Sequence, residues 1–212
     1  MTKKLFYLFG LLLMANFTFV ACNRDDFESD PTTEIGVVID GIRWATRNVN
    51  TPGTFAPHPH SAGRLFQWGT LNGVTHHFDN TTASHINGWH GTDTASERIA
   101  WTSVNDPCPT GWRVPTIEEL TALRNAGYSD WTELGGVNGR FFGAGQNRIF
   151  LPAAGWRNAS SGWLNNVDGS ISYWSNSQLD GWNAEYLHFS RLDYVFTPFR
   201  SLGFSIRCVA ID

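Results

Sequence analysis

The chain has 212 residues, with 15 Lys and Arg against 19 Asp and Glu and a formal net charge of -4. This acidic balance excludes a nucleic-acid partner, because neutralising phosphates takes a basic surface. Ten tryptophans, fifteen phenylalanines and 21 glycines, with only 16% charged residues, favour short strands and long ordered loops over a helical bundle.

Residues 1–21 read as a secretory signal peptide. Lys3 and Lys4 form its positive region, Leu5 to Val20 is apolar apart from Gly10, Asn16 and Thr18, and Ala21 is a small residue ahead of Cys22. The apolar run is short for a membrane span, which takes about 20 residues. Phe19-Val20-Ala21-Cys22 resembles the lipobox of bacterial lipoproteins. That implies cleavage before Cys22 and lipid on its thiol and new amino group. Asn23-Arg24-Asp25-Asp26-Phe27-Glu28 resembles the acidic export signal of some Gram-negative surface lipoproteins. Residues 22–34 are then a lipidated tether and linker, with Pro31, Thr32 and Thr33 keeping it open. The expected setting is the outer membrane at the cell surface, with the membrane as partner through Cys22.

Residues 35–212 form one domain. Gly36 to Ala45 reads as a hairpin turned by Asp40-Gly41. Thr46 to Ser61, with three prolines, is loop. Gly63 to Gly69 is a short buried strand or a turn of helix, and periodicity does not separate the two at this length. Thr70 to Ala100 is a long polar loop.

Thr116 opens a helix over about 117–126. Thr116 and Glu119 have capping-box spacing, Ile117, Leu120 and Leu123 share one face, and Gly127 is a stop. Glu118 and Glu119 fit the helix dipole better than acid–base chemistry. Strand candidates follow at Gly139 to Gly143, Arg148 to Trp156, Ser172 to Ser175, Ala184 to Ser190 and Gly203 to Ile211. Rough alternation in the last two predicts sheet members with one buried face. With Cys22 assigned to lipid, Cys108 and Cys208 remain, and an oxidising compartment predicts a disulfide between them.

Several of these stretches together resemble the FISUMP family (Fibrobacter succinogenes major paralogous domain). They are Val38 to Val49, Gly63 to Trp68, Asn105 to Thr116 (NDPCPTGWRVPT), Ile149 to Arg157 (IFLPAAGWR), Tyr173-Trp174-Ser175 and Gly203 to Val209 (GFSIRCV). The resemblance covers roughly residues 35–211 and implies an α+β domain, similar to C-type-lectin-like folds and to the formylglycine-generating-enzyme fold. Such domains are common in bacterial surface lipoproteins. Residues 75–90 have no counterpart in the family pattern.

Six of the seven histidines, His58, His60, His76, His77, His85 and His90, lie in one stretch. They lack the helical or Cys-x-x-Cys spacing of a metal site, so no metal and no cofactor is assigned. Asn105-Asp106-Pro107 reads as a turn ahead of Cys108. The enzyme fold's chemistry uses a reactive cysteine pair, and with these cysteines committed elsewhere no catalytic residue is assigned. Trp44, Trp68, Trp112, Trp156 and Trp174 lie in the family-like segments and are assigned to the core. Trp89, Trp163 and Trp182 lie in Gly-, Asn- and Ser-rich loops and are the ligand-contact candidates. The expected function is a binding or adhesion module for a glycan or protein ligand, possible as a minor or tip subunit of a surface fibre. The alternative is a ligand-free structural envelope domain, and third is a formylglycine-generating-like enzyme.

Overall fold

The structure is a computed structural model that describes residues 35–75, 89, 98–191 and 197–211. The segment with Cys22 and the acidic cluster lies outside the described residues, as do His76, His77, His85 and His90. Among the described residues, one nine-residue helix stands against fourteen short strands in antiparallel pairings. This is a mainly-β fold, which corrects the α+β expectation. Among the described residues one good capping signal makes one helix, and glycine-punctuated segments pair as short strands.

The first sheet runs β1 (Val37–Ile39), β2 (Ile42–Trp44), β14 (Val209–Ala210), β5 (Trp112–Arg113). Its hairpin turns on Asp40 and Gly41, both at positive φ (51° and 81°), the backbone that an Asp-Gly pair accepts most readily. The second sheet runs β10 (Leu164–Asn165), β9 (Trp156–Arg157), β13 (Gly203–Phe204), β3 (Arg64–Gln67), β4 (Val74–Thr75). A third joins β6 (Thr132–Leu134), β7 (Val137–Ala144) and β8 (Asn147–Pro152), and a hairpin joins β11 (Ser170–Gln178) to β12 (Ala184–Ser190). The expected strand at Arg148 to Trp156 is thus split between two sheets, and so is the one at Gly203 to Ile211.

Helix α1 (Ile117–Asn125) starts on Thr116 with both capping-box bonds in place, and Leu120 and Leu123 are buried. Arg113 braces the cap, its fork donating to Glu119 at 2.8 and 2.7 Å. Gly127 follows the Ala126 C-cap at φ 99°.

Two apolar cores lie on opposite sides of a central layer of strands. Trp174 enters one core and Tyr173 the other; Ala45 and Trp44 divide in the same way, as do Cys208 and Val209. Successive side chains of a strand point to opposite faces, so a strand between two cores is buried on both. Ser170 to Ser175 and Arg200 to Val209 are accordingly buried without a break; for Phe204 to Val209, where alternation predicts one exposed face, the second core overturns that reading. Several of the polar groups caught inside are hydrogen-bonded. Trp68 Nε1 donates to Ser175 O at 2.8 Å, Trp174 Nε1 to Phe66 O at 2.8 Å and Gln67 Nε2 to Ser201 O at 2.7 Å. Cys108 and Cys208 form a disulfide with Cα atoms 6.1 Å apart. It fastens the lead into β5 to the lead into β14, two strands that also pair.

Trp44, Trp68 and Trp174 are fully buried, and Trp101 joins them at 3% exposure. Trp112 and Trp156, expected in the core, are half-buried and pack against its rim.

Candidate binding surface

The hairpin of β11 and β12 turns through residues 179–183. Asp180 organises this turn. Its Oδ1 accepts the backbone N–H of Trp182 at 2.7 Å and of Asn183 at 2.8 Å, and Asn183 Nδ2 donates to both carboxylate oxygens at 3.1 and 2.8 Å. Short Asp side chains commonly hold turns in this way. The Asn183 amide, followed by the two backbone N–H groups, keeps the Asp180 carboxyl below the usual carboxylate range.

Arg200 clamps the turn from below. Its backbone N–H donates to Trp182 O at 2.9 Å. Its guanidinium donates to Asn183 O at 3.2 Å, to Arg98 O at 3.0 Å and to Asp180 O. The Arg200 side chain is 2% exposed and lies 4.5 Å over the Trp68 ring. Arg98 returns the contact, donating to Arg200 O at 2.8 Å and to Gln67 Oε1 at 3.0 Å. Burial lowers the Arg98 pKa to about 10, which leaves it charged at neutral pH. The buried Arg200, stacked on Trp68, and the half-buried Arg98, both bonded to carbonyls, fix this end of the hairpin.

Against this rigid base, Trp182 is 50% exposed. Leu179 opens the turn at 55% exposure, and Phe199, bridged to Asn183, is 43% exposed. Three large apolar side chains thus stand in solvent around one pinned turn. Asp180-Gly181 between two strand candidates is a legible turn signal. Arg200 and Phe199 are remote in sequence, and only the fold brings them here.

The other two tryptophan candidates meet at a different loop. Trp163 is 54% exposed and closes the 158–163 loop, where Asn158 Oδ1 accepts the N–H groups of Ser160 and Ser161 at 3.0 and 3.1 Å. Trp89 is half-buried, with Nε1 donating to Ala159 O at 3.0 Å. Its ring lies so close over Gly203 that a Cβ there would stand 2.5 Å from it. Trp89 therefore ties the loop to β13, while Trp182 stands on another turn.

The remaining candidates have structural positions. Asp106 accepts the N–H of Cys108 at 2.8 Å and of Val114 at 3.0 Å, closing the turn ahead of the disulfide. His58 and His60 stack with ring centroids 5.2 Å apart. Among the described residues no group of three His, Cys, Asp or Glu gathers. Ser172 Oγ lies 3.0 Å from His188 Nδ1, but Ser172 is wholly buried and cannot meet a substrate. A shallow groove of about 380 Å³ lies between the β1 hairpin, the end of α1 and the β7–β8 turn, with Asp40, Asn125 and Asn147 in its lining.

Comparison with family models, with curated proteins and with solved structures finds no match to this chain.

Proposed function

We propose that this chain is a binding module whose ligand docks on the apolar surface around Trp182. The observation that carries this reading is the half-exposed Trp182 on a turn clamped by the buried Arg200. A large apolar side chain held in solvent by a rigid base binds with little ordering cost. Exposed aromatic residues are the usual anchors of such surfaces. Asp180 and Asn183 direct their side chains to each other and to the turn. The surface therefore offers apolar area with few free hydrogen-bonding groups. That suits the apolar side chains of a protein partner better than a sugar, which needs convergent polar contacts.

The signal-like residues 1–21, Cys22 and the acidic Asp25, Asp26 and Glu28 support display at the outer-membrane surface through a lipid on Cys22. The FISUMP-like stretches are in keeping with that setting. An adhesion role, or a place as a minor or tip subunit of a fibre, is the form this module takes in the proposal.

A photo-crosslinking residue at the exposed position 179, beside Trp182 on the same turn, on the protein displayed by its own cells, tests the reading. It should trap a discrete protein partner, while the same residue at the exposed position 148 should not. Equal trapping at both positions, or a glycan-array signal lost on Trp182→Ala, would count against a protein ligand at this turn.

A further inference from the structure

Trp131, just ahead of β6, carries two guanidinium groups. Arg140 Cζ lies 4.7 Å from its ring centroid and Arg191 Cζ 4.9 Å. Arg140 is on β7, and Arg191 follows the end of β12. Tyr128 and Phe189 complete an aromatic cluster around Arg140, at 5.1 and 5.4 Å.

Among the described residues, hydrogen bonding to the two cations is thin. Arg140 Nη1 donates to Ser129 O at 3.3 Å, and Arg191 Nη2 donates to Asn138 Oδ1 at 3.2 Å. Arg140 Nε is buried with no partner. Among the described residues the ion pair is Arg113–Glu119, which lies elsewhere. The ring faces attract each cation, and among the described residues neither has a carboxylate partner. Two like charges sharing one half-buried ring repel. An anion would remove the repulsion, and arginine forks fit the paired oxygens of carboxylate and sulfate. Tyr128, 47% exposed, adds a partly exposed aromatic ring beside the cations, of the kind that packs on the apolar face of a sugar.

We infer that Arg140 and Arg191, held on Trp131, form an oxyanion site for the sulfate or carboxylate groups of an acidic glycan. This site is at the opposite end of β12 from the Trp182 turn, so it stands or falls independently of that surface.

Calorimetric titration of the full chain with a heparin-derived oligosaccharide, an oligogalacturonate and inorganic sulfate tests it. At least one oligosaccharide should bind, and more tightly than inorganic sulfate. Arg191→Ala should weaken that binding roughly tenfold, as loss of a charge-assisted fork does. Arg191→Lys, which keeps a cation on Trp131 but loses the fork, should recover only part; it gives the same reading should the alanine variant melt early. Arg148→Ala, at an exposed arginine outside the pair, should bind as wild type does. The inference is overturned if neither oligosaccharide binds, if inorganic sulfate binds as tightly, or if Arg148→Ala loses as much as Arg191→Ala.

Discussion

Arg207 Nε donates to Asn48 Oδ1 at 2.9 Å, and this bond joins the C-terminal segment to the loop after β2. The same oxygen accepts from Tyr173 Oη at 3.0 Å. Arg207 also donates to Ala45 O at 3.2 Å and Phe150 O at 3.0 Å, and both Arg207 and Asn48 are fully buried. A buried cation is tolerated only where its donors are met. Asn48→Ala removes an acceptor that two buried donors share. Unfolding in urea should show a loss of about 3–5 kcal/mol. A loss under about 1 kcal/mol would mean that the network relaxes onto other acceptors.

The Cys108–Cys208 disulfide spans a sequence separation of 100. In the chain-entropy picture, a loop of that size stabilises by roughly 4–5 kcal/mol. The double variant Cys108→Ser with Cys208→Ser should lose much of that in chemical denaturation. Intact mass without reductant should show two hydrogens missing from wild type. Free thiols at both positions would refute the bond.

Acid should weaken the contact between the 57–60 loop and the β6–β7 turn. Partial burial, and then the charge on His58, lower the His60 pKa, while the ring lies against Gly135. A histidine with a lowered folded pKa binds its proton more readily in the unfolded chain. Its contribution is whole above about pH 6.5, the ordinary histidine value, and declines as pH falls toward the folded value. Melts of wild type and His60→Gln at pH 7.5 and pH 5.5 should show a smaller acid loss in the variant. Equal losses would place the acid sensitivity elsewhere.

Local signals in the sequence were reliable where a few neighbouring residues decide the structure. Asp40-Gly41 sets its hairpin and Thr116 with Glu119 sets the helix start, because each acts within one turn of chain. The cysteine pair was legible because oxidation leaves few partners. The one-sided reading of Phe204 to Val209 failed because the segment has cores on both faces, and Arg207 finds buried partners that spacing does not reveal. Trp112 and Trp156 are assigned to the core on the same ground as Trp44, Trp68 and Trp174, yet pack at its rim, a difference set by neighbouring strands. At the candidate surface Trp182 was legible as a loop aromatic. Its clamp was not, since Arg200 and Arg98 reach it only through tertiary contacts.

The most direct measurement is the affinity of Trp182→Ala for the partner trapped at position 179, taken together with its melting temperature. An exposed residue on a turn held by Arg200 should cost within about 0.5 kcal/mol of stability on removal, while binding should weaken by about 2 kcal/mol or more. Trp89→Ala, which loses a hydrogen bond and packing on β13, should instead lose about 2 kcal/mol of stability. If Trp182→Ala binds as wild type does, or melts as early as Trp89→Ala, Trp182 is a structural residue and the binding surface is contradicted.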